Sequence, residues 1–142
     1  MNKNIDFFIT ITKYLVTLLF CYTAISKIIT FNDFVFQLEK SPLIPLDFGI
    51  LFGIVIILSE LIASYLLFSK EKLGFYFSLF LLVMFTTYLY TIINFSYYIP
   101  CSCGGVLEKL DWNTHIIFNL LYILLIITSI LLKPTLNEKF SK

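Results

Sequence analysis

The chain contains no arginine, so lysine supplies all ten of its basic side chains. Charge of either sign is scarce: 13% of the residues are charged, against about 25% in soluble domains. The formal net charge of +1 gives no electrostatic support for a nucleic-acid partner. Histidine and tryptophan occur once each and cysteine three times, so reactive side chains are rare. The low charge argues against an ordinary soluble domain and points to the lipid bilayer as the environment of the chain.

Hydrophobic residues make up 59% of the sequence and fall into four long runs. A helix needs about 20 apolar residues to cross a bilayer, and each run is close to that length. The runs cover approximately residues 7–28, 48–68, 73–93 and 115–132. We therefore predict an all-α integral membrane protein, a four-helix bundle that forms a single domain over residues 1–142. The first run is too long for a signal peptide and no small-x-small cleavage site follows it, so we expect it to be retained.

Two connections between the spans have a pattern of their own. The stretch FNDFVFQLEK in the first connection predicts a short interfacial helix, capped by Asn32 and with Phe34 and Leu38 on one face. The second and third spans are joined only by a tight turn around Lys70–Lys72. Such a short connection makes these two spans antiparallel neighbours.

The lysines are unevenly divided between the two sides of the membrane. The side with both termini and the second connection has seven, namely Lys3, Lys13, Lys70, Lys72, Lys133, Lys139 and Lys142. The other side has three, namely Lys27, Lys40 and Lys109. Because lysine-rich connections stay inside, we predict a multi-pass protein of the cell inner membrane with both termini cytoplasmic. The third connection, residues 94–114, then faces the periplasm, where disulfides persist.

That third connection contains the sequence PCSCGG, in which Cys101 and Cys103 are separated by one residue. A disulfide between them would close a very small ring, and the resulting strain makes a disulfide easier to reduce. The pattern favours thiol–disulfide chemistry, although a structural pair that closes the loop or two idle thiols remain alternatives. Cys21, near the middle of the first span, is expected to behave as a small hydrophobe and not to pair with the loop.

The fourth span begins with polar residues on one side. His115 and Asn119 are four residues apart, so they share one helix face, which we expect to point into the bundle. In the third span Thr87, Thr91 and Asn94 lie along one face toward the same end. The spacing therefore predicts a small polar cluster beneath the cysteine loop.

His115 has three interpretations. It can stabilise a cysteine thiolate or relay a proton, helped by the positive N-terminal end of the fourth helix, or it can simply be hydrogen-bonded at the membrane interface. Together with Cys101 and Cys103 it also offers three ligands for a soft metal ion. A fourth ligand and the usual C-x-x-C spacing are missing, so we predict no metal site.

Glu60 lies about halfway through the second span. An ionisable side chain at that depth is costly and therefore suggests a function, such as proton handling, or a polar contact that fixes helix pairing. Its expected partners belong to the first span and are Tyr22, Ser26 or Lys27.

Four segments resemble one family of proteins. They are YTAISKI at the end of the first span, FNDFVFQLEKSPLIP, ILSELIASYLLF around Glu60, and PCSCGGVLEKLDWNTHIIFN. Together they resemble the MauE/DoxX-type redox-associated membrane proteins, small four-helix proteins related to the methylamine utilisation protein MauE. The resemblance covers almost the whole chain, and the cysteine-loop motif is its most specific part.

The resemblance implies extracytoplasmic thiol–disulfide exchange, which supports the redox maturation of periplasmic or exported proteins. Under it the chain acts as a thiol–disulfide oxidoreductase whose partner is a thioredoxin-like periplasmic protein or a cysteine-containing substrate protein. A quinone is a conceivable electron acceptor, although no residue pattern marks a quinone site. The predicted site has three catalytic and three supporting positions, which are Cys101, Cys103 and His115, then Lys27, Glu60 and Asn119.

Two other functions compete with this one. The first is a non-enzymatic membrane assembly or scaffold subunit, in which the cysteines only close their loop. The second is a carrier of a metal ion or small solute that uses Glu60 and the neighbouring polar side chains.

Overall fold

Five α-helices make up most of the described part of the chain in this computed structural model, which describes residues 3–41, 44, 46–95 and 112–140. The helices are α1 (Lys3–Ile29), α2 (Phe31–Glu39), α3 (Gly49–Ser69), α4 (Glu71–Phe95) and α5 (Trp112–Phe140). A single 3-10 turn, Leu46–Phe48, leads into α3, and the described ranges contain no strand. The all-α prediction is confirmed.

Four of these helices are long and apolar enough to cross a membrane, and they are α1, α3, α4 and the Asn113–Lys133 part of α5. Their outward faces are apolar: Leu18, Tyr65 and Phe80 are 66%, 69% and 62% exposed. Large apolar surfaces of this kind are unfavourable in water but not in lipid. The chain is therefore a multi-pass membrane protein. The helices extend beyond the predicted apolar runs, because a helix continues into the headgroup region without needing apolar residues there.

The four long helices pack as a bundle in the order α1, α3, α4, α5, and α5 also contacts α1, which closes the bundle. Only Lys70 separates α3 from α4, so these two helices form the antiparallel hairpin that the short connection predicts. The main core lies between the helices and includes Val16, Phe20, Leu67, Phe75 and Ile126. We call the end of the bundle near Lys70 the turn end. The opposite end is called the α2 end, because α2 lies there; α4 finishes and α5 begins at the same end.

The short helix α2 covers the α2 end of the bundle. It buries Phe34, Val35 and Leu38, and the first and last of these pack with Ala24 of α1 and Ile57 of α3. Burial of this apolar face against the protein is what holds so short a helix in place, since nine residues alone form a marginal helix in water. The structure thus confirms a short helix in the first connection.

The predicted cap of α2 is wrong. The helix begins at Phe31, one residue before Asn32, and Thr30 at the N-cap position makes no capping hydrogen bond with its side chain. The reason is that α1 runs almost directly into α2. The Thr30 backbone N–H donates to the Ser26 carbonyl at 3.1 Å, and the Thr30 carbonyl accepts from the Phe34 N–H at 3.0 Å. Asn32 is therefore already inside a helical turn and has no cap to form.

An ion-pair cluster ties three helices together at the turn end. The Glu71 carboxylate of α4 lies 2.6 Å from Lys133 Nζ of α5 and 3.5 Å from Lys13 Nζ of α1. The three side chains are between 19% and 33% exposed, so water screens the attraction only in part.

We expect Glu71→Gln to lower the free energy of unfolding by about 0.5–1 kcal/mol, because it leaves Lys13 and Lys133 facing each other without an anion. The measurement is unfolding in detergent micelles at low and high salt, with the exposed Asp47→Asn as a control that removes the same charge. Screening should shrink the effect at high salt. A loss equal to that of the control would contradict the prediction.

Candidate functional site

A buried ion pair joins α1 to α3. Lys27 Nζ lies 2.7 Å from Glu60 Oε1, and the two side chains are 9% and 2% exposed. Lys27 thus proves to be the partner among the three candidates from the first span. Thr23, one helical turn before Lys27, also neighbours the carboxylate, while its hydroxyl donates to the Phe20 carbonyl at 3.2 Å.

One carboxylate oxygen of the Lys27–Glu60 pair has no hydrogen-bond partner among the described residues. Glu60 Oε2 is buried and makes no hydrogen bond within the described residues. Leaving a buried acceptor unsatisfied costs about 1–3 kcal/mol, and more for a charged group. A carboxylate oxygen held in this state is a position at which a ligand or a water molecule that donates a hydrogen bond would be stabilised.

Aromatic rings help to keep the Lys27 ammonium group in the bundle. The Nζ atom lies 5.7 Å from the centre of the Phe34 ring of α2 and 6.0 Å from that of Phe85 of α4. Both distances are within the range in which the negative face of a ring attracts a cation. Four elements therefore contribute to the surroundings of one charged pair, since Glu60 comes from α3 and Lys27 itself from α1.

Helix α5 adds two buried polar side chains, His115 and Asn119, to the surroundings of the ion pair. Each is only 6% exposed, and the two lie one turn apart on the inward face of the helix. His115 is close enough to Lys27 to experience its charge. Both side chains line the same cavity as Lys27 and Glu60. The structure thus brings together four of the six predicted site residues. We call Lys27, Glu60, His115 and Asn119 the polar cluster.

The polar cluster borders a cavity of about 550 Å³, which lies inside the range of roughly 300–1,000 Å³ typical of small-molecule sites. Its remaining walls are mostly apolar. Its lining also includes side chains that are exposed on the outside of the bundle, which are Phe52 and Val55 of α3 and Phe80 and Met84 of α4. The cavity therefore opens sideways between α3 and α4, toward the acyl chains of the bilayer.

The prediction that polar side chains of α4 join His115 and Asn119 inside the bundle is wrong. Thr87 and Asn94 are exposed and Thr91 is only half-buried, and all three donate to carbonyls of their own helix at 2.8 Å. They share a face, as their spacing predicts, but the face turned to the bundle is the one that carries Leu89 and Ile92. A bond to the carbonyl four residues earlier satisfies each of them without a partner from α5.

Sequence reasoning missed Thr23 and Ser59, which line the cavity beside the ion pair. The available signal for Thr23 was its spacing of four residues before Lys27, which puts both on one face of α1. No comparable signal marked Ser59.

Two of the predicted catalytic residues, Cys101 and Cys103, lie outside the described residues, as does the whole 96–111 segment. Cys21 is described, and it is a half-buried free thiol of α1. Within the described ranges no three His, Cys, Asp or Glu side chains come close enough to hold a metal ion.

A family model described as methylamine utilisation protein MauE matches residues 5–132, which is nearly the whole chain. No curated protein and no solved structure matches this chain. The matched region contains every residue of the polar cluster and both cysteines of the third connection.

Proposed function

Because the chain belongs to the MauE family of membrane proteins, we propose that it carries out thiol–disulfide exchange outside the cytoplasm through Cys101 and Cys103. In this proposal the protein lies in the inner membrane with both termini in the cytoplasm. The uneven distribution of lysines supports that orientation, which puts the α2 end at the periplasmic side. The partner is a thioredoxin-like protein or a cysteine-containing substrate protein of the periplasm.

The observation that carries the proposal is the location of the polar cluster. Lys27 and His115 lie near the α2 end, where α4 finishes at Phe95 and α5 begins at Trp112, and the Lys27 side chain pairs with Glu60 about halfway along α3. The chain between these two residues contains Cys101 and Cys103. His115 follows that segment directly, in the first turn of α5, and is buried beside Lys27. His115 is thus the member of the polar cluster nearest in the chain to the two cysteines, which supports a role for its imidazole in their chemistry.

The exchange itself proceeds through a mixed disulfide. A thiolate of the partner attacks one sulfur of the Cys101–Cys103 disulfide, the S–S bond breaks, and the other cysteine leaves as a thiolate. A second partner thiol, after losing its proton, displaces the first cysteine, so the partner gains a disulfide and the pair becomes a dithiol. The reverse sequence reduces a partner disulfide. The positive N-terminal end of α5 favours the thiolate form of a nearby cysteine, and His115 takes up or returns its proton.

The experiment is to trap the mixed disulfide. Cys101→Ser and Cys103→Ser are made one at a time, because removing the resolving cysteine stabilises the adduct. We expect at least one of the two variants to accumulate a covalent complex that reductant releases, seen by non-reducing electrophoresis and identified by mass spectrometry. The double variant should trap nothing, and its host should lose the redox maturation that the protein supports.

Cys21→Ser is the matched control, since Cys21 is a thiol of the same chain that lies within α1. It should leave the trapped complex unchanged. If neither single variant traps a partner and the double variant supports full function at normal protein level, the cysteines only close a loop. That result would favour the scaffold function and reject exchange.

A further inference from the structure

We infer that the turn end of the bundle binds the phosphate head group of an anionic phospholipid. The site is a shallow, open cavity of about 500 Å³, which we call the basic cavity, and it is lined by Lys70, Glu71, Lys72, Leu73, Tyr76 and Lys133. It shares no residue with the cavity beside the polar cluster, so the inference is independent of the proposed function. Its support comes from the charge of the rim, the donors of the lysines, and the apolar surface that adjoins them.

The rim of the basic cavity is positively charged. Three lysines and one glutamate line it, which leaves a net charge of +2. The negative charge of Glu71 is already shared between two ammonium groups, because its carboxylate lies 2.6 Å from Lys133 Nζ and 3.5 Å from Lys13 Nζ. A basic pocket at the end of membrane helices is the kind of surface that anionic lipid head groups recognise.

The lysines of the basic cavity have side-chain donors available for a phosphate. Lys70 and Lys72 are exposed and form no ion pair within the described part of the chain. Lys133 uses one donor for Glu71 Oε1, and an ammonium group has three. A phosphate group presents several acceptor oxygens, so it can accept charge-assisted hydrogen bonds from more than one of these lysines at once.

An apolar surface continues from the basic cavity along α4. Leu73, Tyr76, Phe80 and Val83 follow one another at a spacing of three or four residues, and they are between 46% and 62% exposed. This spacing puts them on one face of the helix. At 1.5 Å per residue the face is about 15 Å long, which is roughly half of the hydrocarbon core of a bilayer. An acyl chain can therefore lie along it within one leaflet while its head group stays at the lysines.

Aromatic side chains place the basic cavity at the level of the lipid head groups. Tyr76 borders the cavity, and at the same end the ring of Tyr14 lies 6.0 Å from that of Phe68, with both side chains more than half exposed. Tyrosine is enriched where a membrane meets water. The site therefore lies where lipid phosphates are concentrated, whereas a free phosphate ion would gain nothing from the apolar Leu73 beside it.

Lipid preference can be measured at the basic cavity itself, with tryptophan as the local probe. Trp112→Phe removes the only tryptophan of the chain, and Tyr76→Trp then puts one in the cavity while it keeps an interfacial aromatic ring there. The full chain is reconstituted in phosphatidylcholine vesicles that contain increasing fractions of phosphatidylglycerol or phosphatidylcholine with brominated acyl chains, since bromine quenches a nearby tryptophan.

We expect the Tyr76→Trp probe to report a preference for phosphatidylglycerol over phosphatidylcholine of roughly threefold to tenfold at low salt. Both lipids carry a phosphate, but the choline cation of the second is repelled by the lysines. High salt should reduce the preference. Phe95→Trp, in the same Trp112→Phe background, is the matched probe, because Phe95 is 80% exposed at the other end of α4. It should be quenched about equally by the two lipids.

Two exposed lysines at the turn end give a matched pair of charge variants. Lys72 lines the basic cavity, and Lys3, at the start of α1, does not. Added to the Tyr76→Trp probe, Lys72→Gln should lower the preference by roughly twofold to fivefold, and Lys3→Gln should leave it unchanged. Since both side chains are exposed, neither substitution removes a packing contact of the core. The Lys70→Gln, Lys72→Gln double variant should lose nearly all of the preference.

Four results would overturn the inference. Equal quenching of the Tyr76→Trp probe by the two lipids would show that no anionic lipid is selected. The same preference at Phe95→Trp, or equal losses in Lys72→Gln and Lys3→Gln, would indicate the general charge of the surface instead of a site. Loss of the preference when inorganic phosphate replaces chloride at constant ionic strength would mean that the basic cavity holds a free phosphate. None of these results depends on whether the single cysteine variants trap a partner.

Discussion

Removing either partner of the Lys27–Glu60 pair should destabilise the protein more than removing both. Breaking a buried ion pair typically costs about 3–5 kcal/mol, because the remaining charge has lost its counter-ion. Lys27→Met leaves a carboxylate that is 2% exposed, and Glu60→Leu leaves an ammonium that is 9% exposed. The double variant replaces the pair with apolar groups of similar length. It should lose much less than the two single losses added together, and less than either of them.

The measurement is the free energy of unfolding of all four proteins in the same micelles, analysed as a double-mutant cycle. Lys70→Met is the control, since Lys70 is exposed in the turn between α3 and α4. A double variant whose loss equals the sum of the single losses would show that the two charges do not stabilise each other.

The same double variant separates the two roles open to Glu60. If the pair only fixes helix pairing, a folded double variant should still form the trapped partner complex. If Glu60 and Lys27 take part in the exchange chemistry, the folded double variant should lose the trapped complex. The two outcomes differ even when stability is fully retained, so the test does not depend on the size of the destabilisation.

The spans and their order could be predicted from the sequence, because each depends on properties of one short segment. Length and hydropathy identify a span, and a connection as short as Lys70 leaves only an antiparallel arrangement. The shared face of His115 and Asn119 follows from the helical repeat in the same way. None of these inferences requires knowing how one helix is rotated against another.

The sequence did not determine how each helix is rotated about its own axis relative to its neighbours. Tyr22, Ser26 and Lys27 all lie near one end of α1, and the choice among them depends on which side of α1 meets α3. In the structure Tyr22 is exposed and Lys27 is buried. The same uncertainty accounts for the error at Thr87 and Asn94, whose helical spacing is regular but whose face is turned outward. In an apolar span both faces of a helix are hydrophobic, so the periodicity that orients a soluble helix is weak.

A methyl group at Gly74 should be the most damaging of the small substitutions in the bundle. A Cβ atom built there would lie 2.5 Å from the backbone nitrogen of Leu67 and 2.6 Å from its Cα. Real Cβ atoms do not approach that closely, and the obstacle is the backbone of α3, which cannot rotate away as a side chain does. We expect Gly74→Ala to lower the free energy of unfolding by about 2–3 kcal/mol, at the upper end of overpacking effects.

Gly53→Ala is the matched control for this change. It adds the same methyl group to a helix, but its closest neighbour is the Val35 Cγ2 methyl at 3.3 Å, which needs to move only slightly. Because alanine favours a helix over glycine by about 1 kcal/mol, Gly53→Ala should be nearly neutral. A Gly74→Ala protein as stable as Gly53→Ala would mean that α3 and α4 do not approach so closely.

The cause of the expected loss at Gly74 can be tested by a second change. Only Lys70 joins α3 to α4, with its N–H donating to the Leu66 carbonyl at 2.8 Å and its carbonyl accepting from the Gly74 N–H at 2.9 Å. The short connection therefore fixes the two helices at their closest approach. Inserting one glycine after Lys70 should relieve the clash and restore part of the stability of Gly74→Ala, while it destabilises the wild type.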